Sequence, residues 1–508
     1  MSLGGKEESM SKTTVYLHTE FSIGDVDPRI FGGFLEHMGR AVYEGVYQPD
    51  SPHADADGWR TDVLDALRGL HMSQVRYPGG NFASGYHWED GIGPRDSRPT
   101  VRELAWQSIE PNSVGTDEFV SLANRMGWEP MLSANLGTGT PEEARNWVEY
   151  CNSPEGTLYA DKRVANGNRE PHDVKLWCLG NEMDGPWQLG HVPAAQYAIR
   201  AQQAGKMMKD VDPSIELILC GTSNPLLGTY LEWDREALEY LGGLADYVSL
   251  HRYVGIGEES TEDFLAIPNS IDQQIEEVDA ACRFVQGKRK SKKRAWLCFD
   301  EWNVWYKTMK FGSEHMQGGG RFAPPLIEEV YDLRDALVVS GFLHSFVRHA
   351  DVLKIANIAQ IVNVIAPILT RDDGLLVQSI YWPFAMFAKR RKGVSLATQV
   401  RGTRYDSQRY GDTDVIDSSA ILDGDTLSVF LTNRGESPAR VSLDLADRKF
   451  QGGVEAECLT GPDPLAANSW ENPSVIVPQG FSAIRLEEGR VEMELPPYSF
   501  VAASLALE

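Results

Sequence analysis

Two glutamates stand at the ends of apolar runs. Glu182 closes Trp177-Cys178-Leu179-Gly180-Asn181-Glu182, and Glu301 follows Leu297-Cys298-Phe299-Asp300 and precedes Trp302-Asn303. A carboxylate at the end of a strand projects from a rigid element, and two facing one bond supply what double displacement at a glycosidic carbon requires. One carboxylic acid protonates the leaving oxygen while the other carboxylate attacks; the carboxyls stand about 5 to 5.5 Å apart, and configuration is retained. Taken singly, an Asn-Glu pair after a strand is ordinary, so the weight lies in the company the two keep. Other apolar runs end in Glu36 and His37, in Arg76 followed by Asn81, in Asn135, in His251 and Tyr253, in Asn303, and in Gln360 and Asn363. Buried charges are costly unless paired or used, so this many polar ends mark one shared site.

Other chemistries lack their signatures. Gly79-Gly80 and Gly318-Gly319-Gly320 have neither the Lys-Ser/Thr of a phosphate loop nor the spacing of a dinucleotide fingerprint, and read as turns or mobile loops. Glu36-His37 has no second histidine four residues on, and His344 and His349, five apart, fall on different faces of a helix, so no metal site is expected. A Gly-x-Ser-x-Gly elbow is absent. No cofactor is implied.

The elements that must carry these residues form a repeated unit of apolar run, loop and amphipathic helix. The eight runs are Arg29–Glu36, Ser73–Tyr77, Pro130–Asn135, Val174–Glu182, Ile215–Gly221, Asp246–Tyr253, Arg294–Glu301 and Ile355–Val364, with helices expected at 117–126, 141–150, 193–209 and 325–349. Eight alternations predict a parallel (β/α)8 TIM barrel over 25–392, whose catalytic groups come from the carboxyl ends of its strands. Strands four and seven then set Glu182 and Glu301 across the mouth. From 393 to 508 short alternating runs such as DTLSVFLTNRG and SFVAASLAL predict an antiparallel β-sandwich of jelly-roll type, completed by an N-terminal strand within 13–24. Twelve of the 13 tryptophans precede Lys392, which assigns sugar stacking to the barrel.

The chain of 508 residues carries a formal charge of −25. Its field repels phosphate backbones and anionic lipid, which argues against nucleic acid and membrane partners. Residues 393–508 hold 9 Lys/Arg against 18 Asp/Glu, so the acidity is spread over both parts rather than gathered in a tail. The basic run Lys288–Arg294 precedes strand seven on the face away from the site, and reads as a solvated helix-to-strand turn. Six scattered cysteines without a CxxC pair argue for reduced thiols, and residues 1–14 hold no apolar signal core, so the cytoplasm is the expected location.

The strings FGGFLEHMGRAVYEGVY, VRYPGGNFASGYHWEDGIGP, WCLGNEMDGPWQLGH and FDEWNVWY, in this order and spacing, resemble glycoside hydrolase family 51, the retaining α-L-arabinofuranosidases of clan A. The resemblance runs from about Thr14 to the end. Tyr77 departs from it, standing where the family more usually has Trp. By the resemblance, Glu182 is the general acid/base and Glu301 the nucleophile, and Asn181 bonds the sugar 2-hydroxyl. Glu36 and Asn81 hold the outer hydroxyls, Tyr253 and Gln360 line the pocket, and Trp106 and Trp305 wall its mouth. Arg76 is expected to hold a neighbouring carboxylate ionised and His251 to position one of the pair. The tuning expected is a protonated Glu182 beside an ionised Glu301. The resemblance further implies exo-action on arabinofuranose-containing oligosaccharides of arabinan or arabinoxylan type, and a homo-oligomer, in the family often a hexamer. A retaining β-xylosidase or endoglucanase on the same barrel, and a catalytically silent carbohydrate-binding protein, remain the alternatives.

Overall fold

The computed structural model describes residues 11–311, 316–487 and 489–508; residues 1–10, read above as lacking a signal core, lie outside them. Eight parallel strands close a barrel in chain order: Gly32–Phe34, Gln74–Tyr77, Glu129–Ala134, Leu176–Leu179, Glu216–Leu219, Tyr247–Val254, Trp296–Val304 and Leu353–Ala359. These are barrel strands one to eight below, and each falls on one of the eight runs read from sequence.

The barrel interior is filled by Met131, Leu176, Cys178, Ile218, Cys298 and Ile355, which places two of the cysteines as small apolar filler. All six cysteines are free and buried. At the amino-terminal end of the strands Arg29 closes the barrel, forking onto Glu129 at 2.6 and 2.7 Å and reaching Glu216 and Tyr247 at 3.2 Å. These ion pairs close that end, and catalytic groups of such a barrel come from the carboxyl ends.

The helices follow their sequence signals. Thr140 caps Pro141–Asn152 by accepting from Glu143 N, with proline in the first turn. The helix expected over 325–349 starts only at Leu333 and runs to Arg348, because the Asp332 side chain accepts from Arg334 N and Asp335 N and fixes the start there. The basic run ends the helix Pro268–Arg289. Lys288 pairs with Glu239 at 2.7 Å, Lys293 with Asp246 at 2.9 Å and Arg294 with Asp279 at 2.6 Å, while Arg289, Lys290 and Lys292 are exposed, as in a solvated helix-to-strand turn. Among the described residues no helix is long and apolar enough to cross a membrane.

Two further sheets flank the barrel. Five strands run Gln399–Arg401, Ser11–Leu17, Ala439–Leu445, Arg490–Leu495, Ile484–Glu487. Seven run Ser22–Asp25, Val394–Leu396, Ile416–Asp423, Thr426–Asn433, Ser499–Leu507, Phe450–Leu459, Gln479–Gly480. The N-terminal segment thus gives one strand to each sheet rather than a single strand. Ser11–Leu17 also departs from the antiparallel expectation, pairing parallel to Ala439–Leu445.

Strand Thr426–Asn433 is buried on both faces. Leu427, Val429 and Leu431 fill the space between the sheets, whereas Phe430 stacks on Phe387 of the barrel's last helix at 3.9 Å between ring centres. The helix Leu333–Arg348 meets the same sheet through a polar stripe at i, i+4, i+8. Ser340 contacts Thr432 at 2.8 Å, His344 bonds Ser419 at 2.9 Å and Thr432 at 3.0 Å, and Arg348 pairs with Asp417 at 2.6 Å.

Burial lowers the His344 pKa to about 3, so the ring stays neutral between its two hydroxyl partners. An unfolded histidine gains its proton near pH 6.5, so the folded state loses stability as pH falls from there towards 3, on the order of 3–5 kcal/mol in all. Melting temperature measured against pH is expected to fall less steeply between pH 6.5 and 4 in His344→Gln than in the unaltered protein; identical slopes would refute the assignment.

Candidate active site

Glu182 lies three residues beyond strand four in a left-handed backbone conformation (φ 45°) that turns its side chain back over the mouth. Glu301 lies within strand seven, in register with His251 of strand six. Between Ser249 and His251 the register slips, so that three steps on strand seven match two on strand six. Such a bulge re-aims side chains. Here it lets consecutive residues face one cation: Arg76 meets Asp300 at 3.3 Å and Glu301 at 2.6 Å.

Arg76, on strand two and fully buried, organises the floor. Nη1 donates to Glu301 Oε1, Nη2 to Asn181 Oδ1 at 2.6 Å and Nε to Ser133 Oγ at 3.1 Å, and the guanidinium lies 4.7 Å over the Phe34 ring. Burial alone would discharge it, but the charges of Asp300 and Glu301 overcome that and raise its pKa well above the usual arginine value. Asn181 continues the chain of bonds, donating to Asn81 at 3.2 Å.

The two glutamates meet on His251. Its Nδ1 lies 2.9 Å from Glu182 Oε1 and 3.6 Å from Glu301 Oε2, while Nε2 lies 3.3 Å from Asp300. One carboxylate oxygen of each glutamate and the ring nitrogen all fall within 4.8 Å of one another. That separation fits the retaining arrangement rather than the roughly 6.5–9.5 Å of an inverting one. Three such donors are also a spacing that can grip a cation, but both oxygens of Glu301 are engaged, Oε1 by Arg76 and Oε2 by the Tyr253 hydroxyl at 2.8 Å. A second cation on Glu301 would displace these donors.

The protons are distributed by burial and mutual repulsion. Glu301 is pushed up from the usual carboxylate range by burial, with His251 and Arg76 pulling it down and Glu182 pushing it up again. Arg76 thus pulls Glu301 down as expected from sequence, and the net direction is upward because desolvation outweighs the two cations. His251 would be lowered by burial, but Glu301 and Asp300 raise it well above the ordinary histidine value. Asp300 goes the other way, its burial overcome by Arg76 and His251, and sits below the usual range.

Glu36 faces this group from beyond strand one. Its Oε1 accepts from Phe82 N at 2.9 Å and Trp106 Nε1 at 3.1 Å, and Gln360 Nε2 donates to Oε2 at 3.3 Å. Burial first and the charge of Glu301 second push its pKa up to about 8, so near neutrality it is an acid able to donate. Tyr253 packs edge-on against Trp305 at 5.5 Å, which sets that indole beside the hydroxyl that donates to Glu301. The structure thus brings together Glu36, Arg76, Asn81, Trp106, Asn181, Glu182, His251, Tyr253, Glu301 and Gln360, with Trp305 at the edge.

Other strand-end residues serve the scaffold. Asn135 ties its own loop by accepting from Gly137, Thr138 and Gly139 N; Asn303 donates to Ala359 O and Ile365 O; Asn363 donates to Arg40 O. His37 turns away to Glu110 at 3.0 Å and Tyr77 at 2.7 Å. Gly79-Gly80, read as a turn or mobile loop, is instead part of the floor: a Cβ on Gly80 would come within 2.7 Å of Glu301 Oε1, and one on Gly79 within 2.7 Å of Glu36 Cγ. Sequence reasoning missed Asp300, since strict alternation turns it away from Glu301, and Trp187, whose indole donates to Glu182 Oε2 at 2.6 Å.

Comparison with known proteins gives a consistent picture. Residues 66–262 match the family model described as alpha-L-arabinofuranosidase 1 domain, and residues 300–499 that described as alpha-L-arabinofuranosidase C-terminal domain. The intracellular exo-alpha-(1->5)-L-arabinofuranosidase 1 of Bacillus subtilis (strain 168) is 40% identical over 97% of this chain and 98% of its own. An exo-alpha-(1->6)-L-arabinofuranosidase of Bifidobacterium longum is 38% identical, covering 98% of both. The solved structure of a family 51 alpha-L-arabinofuranosidase from Bifidobacterium longum superposes with a TM-score of 0.93 at 36% identity, covering 98% of this chain and 100% of that one. Relatives this similar over their whole length, on a barrel with two glutamates facing each other at its mouth, place the chain in a family: it belongs to the α-L-arabinofuranosidases of glycoside hydrolase family 51.

Proposed function

We propose that the protein is an exo-acting, retaining α-L-arabinofuranosidase that releases terminal arabinofuranosyl units from arabinan- or arabinoxylan-type oligosaccharides. The observation that carries the mechanism is the convergence of Glu182 and Glu301 on His251, with carboxylate oxygens within 4.8 Å. Glu301, oriented by Arg76 and the Tyr253 hydroxyl, attacks the anomeric carbon. Glu182 gives its proton to the leaving oxygen as the glycosidic bond breaks. Attack cancels the charge on Glu301, which removes a repulsion and lets Glu182 persist as the carboxylate that accepts a proton from the attacking water in the second step. The water oxygen then displaces the ester, restoring Glu301 as a carboxylate. Asn181, held by Arg76, is assigned the 2-hydroxyl, and Glu36, a donor near neutral pH, an outer hydroxyl with Asn81. The Gln360 side chain holds Glu36 twice, Oε1 accepting from Glu36 N and Nε2 donating to Glu36 Oε2, and Trp106 and Trp305 form the apolar walls.

The reading extends to organisation and location. The catalytic unit is assigned to 25–392, and the flanking sheets to 393–508 together with 13–24. The names of relatives such as the Bacillus subtilis enzyme support an intracellular, cytoplasmic protein, and family membership supports a homo-oligomer.

Two experiments test the reading. On aryl arabinofuranosides with good leaving groups, Glu182→Ala is expected to retain the first step and to be rescued by azide, whereas Glu301→Ala loses roughly 10⁴-fold or more in kcat without rescue; equal behaviour of the two would overturn the roles. In a panel of nitrophenyl glycosides the arabinofuranoside is expected to be turned over best. Good turnover of a xyloside or cellobioside with none of the arabinofuranoside would reverse the substrate assignment.

A further inference from the structure

Glu182 is held at both oxygens. Oε1 faces the buried His251, and Oε2 accepts the indole N–H of Trp187 at 2.6 Å. Trp187 itself is 49% exposed, whereas Glu182 is 8% exposed, so the indole covers Glu182 from the solvent side, where a leaving group must enter. The sequence is built for this cover. Gly185 N bonds back to Glu182 O at 2.8 Å, and Gln188 N to Gly185 O at 3.0 Å, folding the segment after strand four into consecutive tight turns. A Cβ on Gly185 would lie 2.5 Å from Trp187 Cε2 and 3.0 Å from its Nε1, so only glycine lets the ring lie where its N–H meets the carboxyl.

An indole N–H only donates, and a donor binds a charged oxygen more strongly than a neutral one. It therefore favours Glu182 in its ionised state and competes for the oxygen that must present a proton to the leaving group. We propose that Trp187 is a positioning residue on the leaving-group side: its N–H holds Glu182 while that carboxyl is ionised, and yields Oε2 to the leaving sugar when the carboxyl carries its proton. In the first step the proton passes from Glu182 to the departing oxygen as the anomeric carbon bonds Glu301. The indole then re-engages the carboxylate and holds it as base for the water that cleaves the ester. The displaced ring forms a wall for the sugar on the leaving side, which makes Trp187 a determinant of what is accepted there. The inference rests on the reading of Glu182 as acid and then base. The titratable groups around Glu182 are His251 and Tyr253 from strand six, Glu301 from strand seven, Asp184 and Cys220.

The test uses the full-length Trp187→Phe and Gly185→Ala variants, the first removing the N–H and keeping a ring, the second pushing the indole aside. On 2,4-dinitrophenyl arabinofuranoside, whose good leaving group is expected to make the second step limit turnover, both are expected to lower kcat roughly five- to tenfold while kcat/KM stays within about twofold. With an arabinofuranosyl disaccharide, the alkaline limb of kcat/KM is expected to move up by roughly half a pH unit or more, because the ionised acid has lost a donor. If kcat and kcat/KM fall together with an unmoved limb, or if neither changes, Trp187 has only a structural role and the proposal is wrong. Failure of the underlying reading shows separately, as Glu182→Ala that keeps the second step without azide.

Discussion

Everything at the barrel mouth depends on how Arg76 is shared. Four carboxyls, Glu36, Glu182, Asp300 and Glu301, are each at most 8% exposed, and among the described residues one guanidinium is the permanent cation paired with them. Isolated buried charges of this number would be prohibitive. The planar fork of arginine answers two carboxylates and an amide at once, which the point charge of a lysine would not. The bulge in strand seven exists in this account to bring Asp300 round to the same guanidinium. Gly79-Gly80 exists to let Glu301 and Glu36 approach the adjoining backbone.

What the single cation leaves unbalanced is balanced by protons. Glu36 retains its own near neutrality and His251 gains one, so the site is poised with exchangeable hydrogens instead of fixed charge. A retaining glycosidase needs that poise, since one carboxyl must be acidic before glycosylation and basic afterwards. The tuning is thus collective. It comes from several carboxyls sharing one guanidinium in a buried pocket, so no single carboxylate and neighbour sets it alone.

The barrel was legible because its signals are periodic: eight apolar runs, each ending in polar residues, survive any error of a few residues at their ends. The catalytic pair was legible for the same reason, with Glu182 and Glu301 at run ends and the family strings around them. Lost were features that break periodicity. The bulge that turns Asp300 inward has no residue signature, and the switch of the N-terminal segment between two sheets lies in the turn at 18–21 rather than in either strand. Trp187 stood within a quoted string, but its partner is set by a turn that only Gly185 permits, and a glycine there reads as an ordinary loop.

The flanking sheets acquire a role from the same geometry. Strand seven carries Glu301, and its outward side chains Phe299 and Trp302 pack on Phe342 and Phe346 of the helix Leu333–Arg348 at ring distances of 5.0–6.4 Å. The opposite side of that helix is locked to the seven-stranded sheet through Ser340, His344 and Arg348. A displacement of the sheet is therefore felt, through one close-packed helix, by the strand that positions Glu301. Catalytic geometry demands placement to well under an ångström. Bracing the strand that carries Glu301 gives the flanking sheets a part in placing that carboxylate.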